Sequence, residues 1–379
     1  MQKVPFGKLG FEVSRLGFGM MRLPTMENDQ GEHVIDRDQA IKMVRTAIDH
    51  GVSYVDTAYG YHGGESEIVT GLALKDGYRE KVKLVTKLPT WRVNEAKDMD
   101  RLLDEQLKKL DVPYLDFYLL HALRRESFEK MQSFNYAEFL NRARRDGRIR
   151  HAGFSFHDDK GAFIDILNDF DWELAQVQIN YLDDEAQATA EGIRYAGRKG
   201  VPVVAMEPLR GGALASPPQE IKDTIQAHPR GYSPVEWAFR YVGNYPEIVT
   251  ILSGMSTMEQ VEDNLRIFQN VTVGNLSSED EKFVVELKKA YMSRIAVGCT
   301  HCDYCQPCPQ NVLIPRIFEI YNRAYMFDNN TQLVRDYKNV IKDEGDGARC
   351  VACGQCEAAC PQQLEIIKLL DKIHQEATK

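Results

Sequence analysis

No cysteine precedes Cys299, and all eight then fall between Cys299 and Cys360. A disulfide framework spreads its cysteines through the fold it staples, so this crowding excludes a secreted, cross-linked domain. It points instead to a metal centre in a reducing compartment. Basic residues are also in deficit, 47 Lys and Arg against 56 Asp and Glu, for a net charge of −9. Phosphate binding needs a basic surface, so nucleic acid is excluded as a main partner and the acidity reads as solubility. No apolar run approaches a bilayer span; the run ending at Leu119-Leu120 is strand-sized. The N-terminus opens on polar and turn-forming residues, without a basic start and an apolar stretch. No signal peptide, anchor or membrane partner is expected, and the chain reads as cytoplasmic.

What is there suits one large domain and one small one, at 379 residues. Between Ser14 and Asn270 short apolar runs recur: Leu16–Met20, Tyr54–Thr57, Val82–Thr86, Leu115–Leu120, Ala152–Ser155, Ala175–Ile179, Val201–Met206 and Ile248–Leu252. Amphipathic stretches such as Asp38–His50, Glu95–Leu110 and Glu185–Lys199 separate them at helical spacing. Asp36, Asn94 and Ser233-Pro234 stand where caps belong. Strand and helix in eightfold alternation predict an α/β fold, a (β/α)8 TIM barrel, which needs roughly 250 residues. An open doubly wound sheet would want a glycine-rich phosphate turn after the first strand. Gly17-Phe18-Gly19-Met20-Met21-Arg22 lacks the third glycine and a helix start, so it is a decoy. The stretch Phe6–Ser14 reads as a hairpin that plugs one barrel end. The expected domains are a barrel over 1–276, a helical linker over 277–295, and a small, mainly α-helical unit over 296–379.

The first cysteine run is Cys299, Cys302, Cys305 and Cys308, followed by Pro309; the second is Cys350, Cys353, Cys356 and Cys360, followed by Pro361. A cubane needs four thiolates at tetrahedral corners. Three cysteines at two-residue gaps wrap one face, and the fourth ligand comes from elsewhere. In two-cluster ferredoxins the fourth cysteine of each run serves the other cluster. On that pattern Cys299, Cys302, Cys305 and Cys360 hold one [4Fe–4S] cluster, and Cys350, Cys353, Cys356 and Cys308 the other. The first run is one residue shorter than the standard spacing, which leaves its cross-ligation more open. Structural zinc would leave both runs overloaded and the trailing prolines without a role. His301, inside the first run, is a bystander to a complete set of thiols.

Active sites of such barrels lie at the C-terminal strand ends. There Asp56 ends the second strand, Tyr61 follows in its loop, Lys87 ends the third and His121 the fourth. Each alone reads as structural; the ordered set does not. Tyrosine is a weak acid at neutral pH, and the Lys87 ammonium, held by Asp56, is expected to lower its pKa. His121 can polarise a carbonyl oxygen. Together they make an acid that protonates an oxyanion while a hydride arrives. Tyr59, Trp91 and Phe156 are candidates for an apolar substrate wall or for core packing.

The strings Asp56-Thr57-Ala58-Tyr59-Gly60-Tyr61, Thr86-Lys87 and Leu119-Leu120-His121 resemble the Asp–Tyr–Lys–His tetrad of the aldo-keto reductase superfamily. The tail is similar to the 4Fe–4S dicluster, ferredoxin-type domain fused to one bacterial branch of it. The resemblance implies a catalytic tetrad of Asp56, Tyr61, Lys87 and His121, and an NAD(P)(H) cofactor bound in extended form. It implies hydride transfer between that nucleotide and a small-molecule carbonyl or alcohol. By position, Ser155 and Gln178 would contact the nicotinamide carboxamide, Pro208, Leu209, Arg210, Gly211 and Gly212 would follow the pyrophosphate, and Asn264 would reach the adenine. Phe156 stands where many relatives place asparagine. Gly254 and Gln260 stand where NADP-preferring members are basic, and a 2′-phosphate there lacks a charge-assisted partner.

A nicotinamide moves two electrons together and a cubane moves one, so a mediator is implied, and no flavin signature is present. One expectation is a reductase whose clusters serve a partner flavoprotein or ferredoxin in electron transfer. A second is a reductase with structural clusters. A third is an electron-transfer module whose barrel docks a partner or flavin without carbonyl chemistry.

Overall fold

The computed structural model describes residues Met1–Lys379. It divides into two compact units, Met1–Gly211 with Val235–Glu281, and Gly212–Pro234 with Lys282–Lys379. No helix is long and apolar enough to cross a membrane.

The first unit opens with an antiparallel hairpin, β1 (Lys3–Pro5) and β2 (Glu12–Ser14). Strand β3 (Leu16–Gly19) follows, then a second hairpin, β4 (Thr25–Glu27) and β5 (His33–Ile35). The remaining strands are β6 (Tyr54–Asp56), β7 (Lys83–Leu88), β8 (Leu115–Leu123), β9 (Ile149–Phe156), β10 (Leu174–Gln178), β11 (Val203–Met206) and β12 (Ile248–Gly254). With β3 these seven close a parallel barrel in chain order, β12 pairing back onto β3. Every apolar run expected to be a strand is one, because a strand covered on both faces needs an unbroken apolar stretch.

Two apolar layers hold the barrel. Inside, Tyr54, Val85, Phe117, Leu119, Leu174 and Val204 fill the axis. The first hairpin closes one end: Phe6 lies 4.7 Å from the Phe117 ring, and Phe11 lies 5.7 Å from His151. Outside, helices such as Arg37–Asp49 and Lys97–Leu110 cover the strands. Asp36 caps the first of these, its carboxylate accepting from Gln39 N at 3.0 Å. Asn94 does not cap the second. The helix starts at Lys97, and Asp98 within it accepts from the N–H groups of Asn94 and Glu95. A carboxylate is the better acceptor at a helix N-terminus.

The second unit is helical, with Gln219–Ala227, Ile314–Met326, Asn330–Lys342 and Ile366–Ala377 as its longer pieces beside the end of Ser278–Met292. The stretch expected to be a linker is thus one helix, and the division of units falls within it. Residues 212–234, expected in the barrel, group with the C-terminal residues. His228 lies 4.2 Å from the Phe283 ring, and Arg294 reaches Glu220 at 3.7 Å. An apolar core of Val312, Ile317, Phe318, Tyr321, Leu333, Tyr337 and Ile373 sits behind the cysteines.

Candidate active site and cysteine cavities

Asp56, Lys87 and His121 stand at the C-terminal ends of adjacent strands β6, β7 and β8, and Tyr61 begins the loop turn after β6. Lys87 Nζ donates to Asp56 Oδ1 at 2.6 Å, to the Thr57 carbonyl at 2.8 Å and to Tyr61 OH at 3.4 Å. The first two contacts are buried, Lys87 being fully so and Asp56 nearly so, while the bond to Tyr61 is half-buried. Burial pulls the Lys87 pKa down, but Asp56 and Tyr61 more than offset it, and the ammonium is held above its ordinary range. Burial pushes Asp56 up, with Lys87 opposing.

The Tyr61 ring lies 6.1 Å from the His121 ring, edge to face. Its hydroxyl differs from expectation: burial raises its pKa by more than Lys87 lowers it. Desolvating a phenolate costs more than one ammonium at 3.4 Å returns, so the group stays protonated. Burial, then the Lys87 charge, hold His121 well below its ordinary pKa, leaving the imidazole neutral. Its Nδ1 is buried without a hydrogen-bond partner. The arrangement is a protonated hydroxyl and a neutral imidazole over a fixed cation, suited to an oxygen that gains negative charge.

Behind Lys87 lies a buried lattice that periodicity did not reveal. Gln106 Nε2 donates to the Lys87 carbonyl at 3.0 Å, to Glu67 Oε1 at 2.6 Å and to Thr86 Oγ1 at 3.1 Å; Tyr118 OH donates to Gln106 Oε1 at 2.7 Å. The helix Ser66–Ala73 supplies Glu67, and a side chain at its Gly71 would strike the Leu110 carbonyl at 2.4 Å. Only glycine lets that helix come close enough.

Two of the three aromatics considered for the mouth belong elsewhere. Tyr59 turns to the helix Lys97–Leu110, its hydroxyl donating to Glu105 at 3.0 Å under the Lys109 ammonium. Phe156 is fully buried against Phe163, ring to ring at 5.1 Å. Trp91 alone stands at the site, half exposed, with its ring 5.1 Å from His121.

The residues expected along a nucleotide lie at or just after the ends of β9 to β12, with Gln260 and Asn264 in the helix Met258–Ile267 that follows β12. Ser155 is buried and its Oγ accepts from Ala122 N at 2.8 Å, leaving its proton to donate. Gln178 Oε1 accepts from Gln187 at 3.2 Å. Pro208 and Leu209 follow β11, Arg210 pairs with Asp183 at 3.1 Å, and Gly211 and Gly212 both have positive φ. That backbone can approach an anion closely. Asn264 is buried, donating to Ser253 Oγ at 2.9 Å, and Gln260 folds back to accept from Ser256 N at 2.8 Å. Arg22, missed in the sequence, fills the space beside Gly254, where a Cβ would meet its side chain at 2.7 Å. Its guanidinium comes within 3.8 Å of a Cβ at Gly211, so a cation reaches this rim from β3.

In the second unit the cysteines line two cavities. One is bounded by Cys299, Cys302, Cys305 and Cys360 with Pro315 and Phe318. The other, about 230 Å³, is bounded by Cys308, Cys350, Cys353 and Cys356 with Cys305 again on its wall. Each set mixes both runs. No three His, Cys, Asp or Glu side chains converge on a single-ion centre, and the thiols instead line these two cavities. Asn322 fixes the chain before Cys299, bonding Val297 N at 2.8 Å and Val297 O at 2.7 Å. Tyr337 OH accepts from Gly347 N at 2.8 Å ahead of Cys350. Burial pushes the Cys305 thiol up to about 11.

A family model described as "Aldo/keto reductase family" matches residues 15–282, and one described as "4Fe-4S dicluster domain" matches 298–365. The L-galactose dehydrogenase of Arabidopsis thaliana is 26% identical over 68% of this chain and 85% of its own length. An Escherichia coli NADH-specific methylglyoxal reductase is 24% identical over 76% of this chain and 99% of its own. Among solved structures, an aldo/keto reductase from Klebsiella pneumoniae in complex with NADP and acetate superposes at TM-score 0.60, with 25% identity over 76% of this chain and 95% of that one.

Proposed function

The chain belongs to the aldo/keto reductase family, and we propose that its barrel moves a hydride between a nicotinamide nucleotide and a carbonyl or alcohol, while its cysteine unit holds two [4Fe–4S] clusters that exchange electrons with a partner. One observation carries the first part. Lys87 bonds Asp56 and Tyr61 at once, beside a neutral His121 with a buried nitrogen lacking any partner.

A bound nicotinamide dinucleotide supplies or removes the hydride. In reduction, His121 donates a hydrogen bond to the carbonyl oxygen, and Tyr61 gives that oxygen its proton as negative charge develops there. The Tyr61 O–H bond breaks and the alcohol O–H forms. Lys87 stabilises the phenolate left behind until solvent returns the proton, and Asp56 keeps Lys87 charged. Ser155, Gln178 and the Pro208–Gly212 segment would hold the nucleotide, with Asn264 and Gln260 at its adenosine end. The relatives include one described as NADH-specific and one bound to NADP. Gly254 and Gln260 bring no cation of their own to a 2′-phosphate, but Arg22 beside Gly254 brings one to that rim, which supports use of both NAD(H) and NADP(H).

The grouping of the thiols supports cross-ligation, with Cys299, Cys302, Cys305 and Cys360 on one cluster and Cys308, Cys350, Cys353 and Cys356 on the other. Bound cubanes pass electrons singly. A flavoprotein or ferredoxin is the class of partner that accepts them.

The test is an anaerobic titration with NADH and with NADPH, following iron–sulfur absorption and EPR, beside turnover of an aldehyde. Aldehyde reduction lost in Tyr61→Phe supports the tetrad; retained turnover sinks it. Cluster reduction by nucleotide couples the two units, and clusters that stay oxidised leave the barrel working alone.

A further inference from the structure

Side chains alternate along β9, and the strand's lower residues show which set faces the axis. The His151 ring lies 5.0 Å from Phe117, a Cβ on Gly153 would meet Leu119, and Ser155 Oγ takes the Ala122 N–H. Phe154 and Phe156 point the other way, into Phe163. His157 follows the strand's last residue, its backbone N–H bonding Leu123 O at 3.0 Å, and it lies close enough to the tetrad for its charge to bear on His121.

Gln187, Arg124 and His121 are near enough to bear on the His157 imidazole. Gln187 stands beside the imidazole, and its own Nε2 donates to Gln178 Oε1 at 3.2 Å. Gln187 Oε1 is buried and faces the His157 ring. Burial lowers the His157 pKa, so its ring is neutral, with one donor and one acceptor nitrogen. Ser155, Gln178 and His157 therefore gather at the ends of β9 and β10, with Gln187 linking the last two.

We propose that His157 is a contact for the carboxamide of the bound nicotinamide, taking the place of the side-chain amide that Phe156 cannot offer. The inference rests on the nucleotide-binding reading above. A primary carboxamide has an acceptor oxygen and two N–H donors. Ser155 Oγ–H donates to the oxygen, and the unprotonated nitrogen of His157 accepts from the NH2 group. The remaining ring N–H turns to Gln187 Oε1, which fixes the tautomer.

Calorimetric binding of NADH to the full chain with its clusters is compared with binding of reduced 3-acetylpyridine adenine dinucleotide, in which a methyl replaces the NH2. The wild type is expected to prefer NADH. In His157→Phe, NADH binding weakens by about tenfold, as for one lost hydrogen bond, and analogue binding stays within about twofold. His157→Asn restores the preference, which a role in folding alone would not produce. His157→Ala serves where phenylalanine disturbs the fold. Equal weakening of both nucleotides, or of neither, overturns the role of His157. A wild type that binds neither nucleotide overturns the underlying reading with it.

Discussion

The barrel and the cysteine unit place reactive groups in opposite ways. In the barrel the protein supplies its own counter-charges: a buried ammonium meets a buried carboxylate at 2.6 Å, and a hidden lattice of Gln106, Glu67 and Thr86 fixes the strand behind them. In the cysteine unit the reactive groups line cavities, and two of them, Cys302 and Cys353, are exposed. On the proposed reading, thiols there gain their counter-charge from iron. The first site is preorganised by folding. The second couples its folding to what it binds.

That contrast breaks most sharply at Tyr61. Tyr61→Phe is expected to lower carbonyl turnover by about 10²–10⁴-fold while visible iron–sulfur absorption is unchanged. A parallel loss of cluster absorption would mean that the two sites are not independent. Next comes iron content. Cross-ligation places Cys308 and Cys353 on one cubane, so Cys308→Ser with Cys353→Ser leaves about four irons per chain, whereas run-by-run ligation leaves about none. Iron analysis beside the protein concentration separates the two.

Lys87→Met strands the Asp56 carboxylate and is expected to destabilise the barrel by about 3–5 kcal/mol, read from its denaturation midpoint. The variant should lose turnover as well, with the clusters unaffected. A smaller effect follows pH. Folding lowers the His121 pKa, so below about 6.5 the unfolded chain binds a proton that the native barrel refuses. The stability it contributes is complete above that pH and is lost as pH falls; His121→Gln should flatten the slope of melting temperature against pH there. Smallest is Tyr59→Phe, about 1 kcal/mol or less, because its hydroxyl serves only Glu105.

The barrel is legible because its strands are apolar runs with period-2 or continuous burial, and Asp56, Lys87 and His121 fall at or within two residues of their C-terminal ends. What periodicity could not show was contact between distant elements. Gln106 sits in an amphipathic helix as an ordinary polar residue, and nothing local tells that it bonds the Lys87 carbonyl. Arg22 belongs to a loop without a phosphate-binding pattern, and its place beside Gly254 depends on β3 pairing with β12. Tyr59 and Phe156 are near the mouth in sequence, but their rings face the helix Lys97–Leu110 and Phe163. Alternation from Ser155 sends Phe156 outward. The sign of the Tyr61 shift was out of reach, because it depends on how dry the hydroxyl is.

Trp91 gives the protein an optical gauge of its own. The chain has three tryptophans, and Trp172 and Trp237 are 5% and 0% exposed, against 54% for Trp91. Red-edge emission and quenching by iodide therefore report the one indole beside His121. Anything that settles over the tetrad changes that light without a label, and the cysteine unit, which contains no tryptophan, adds no emission to confuse it.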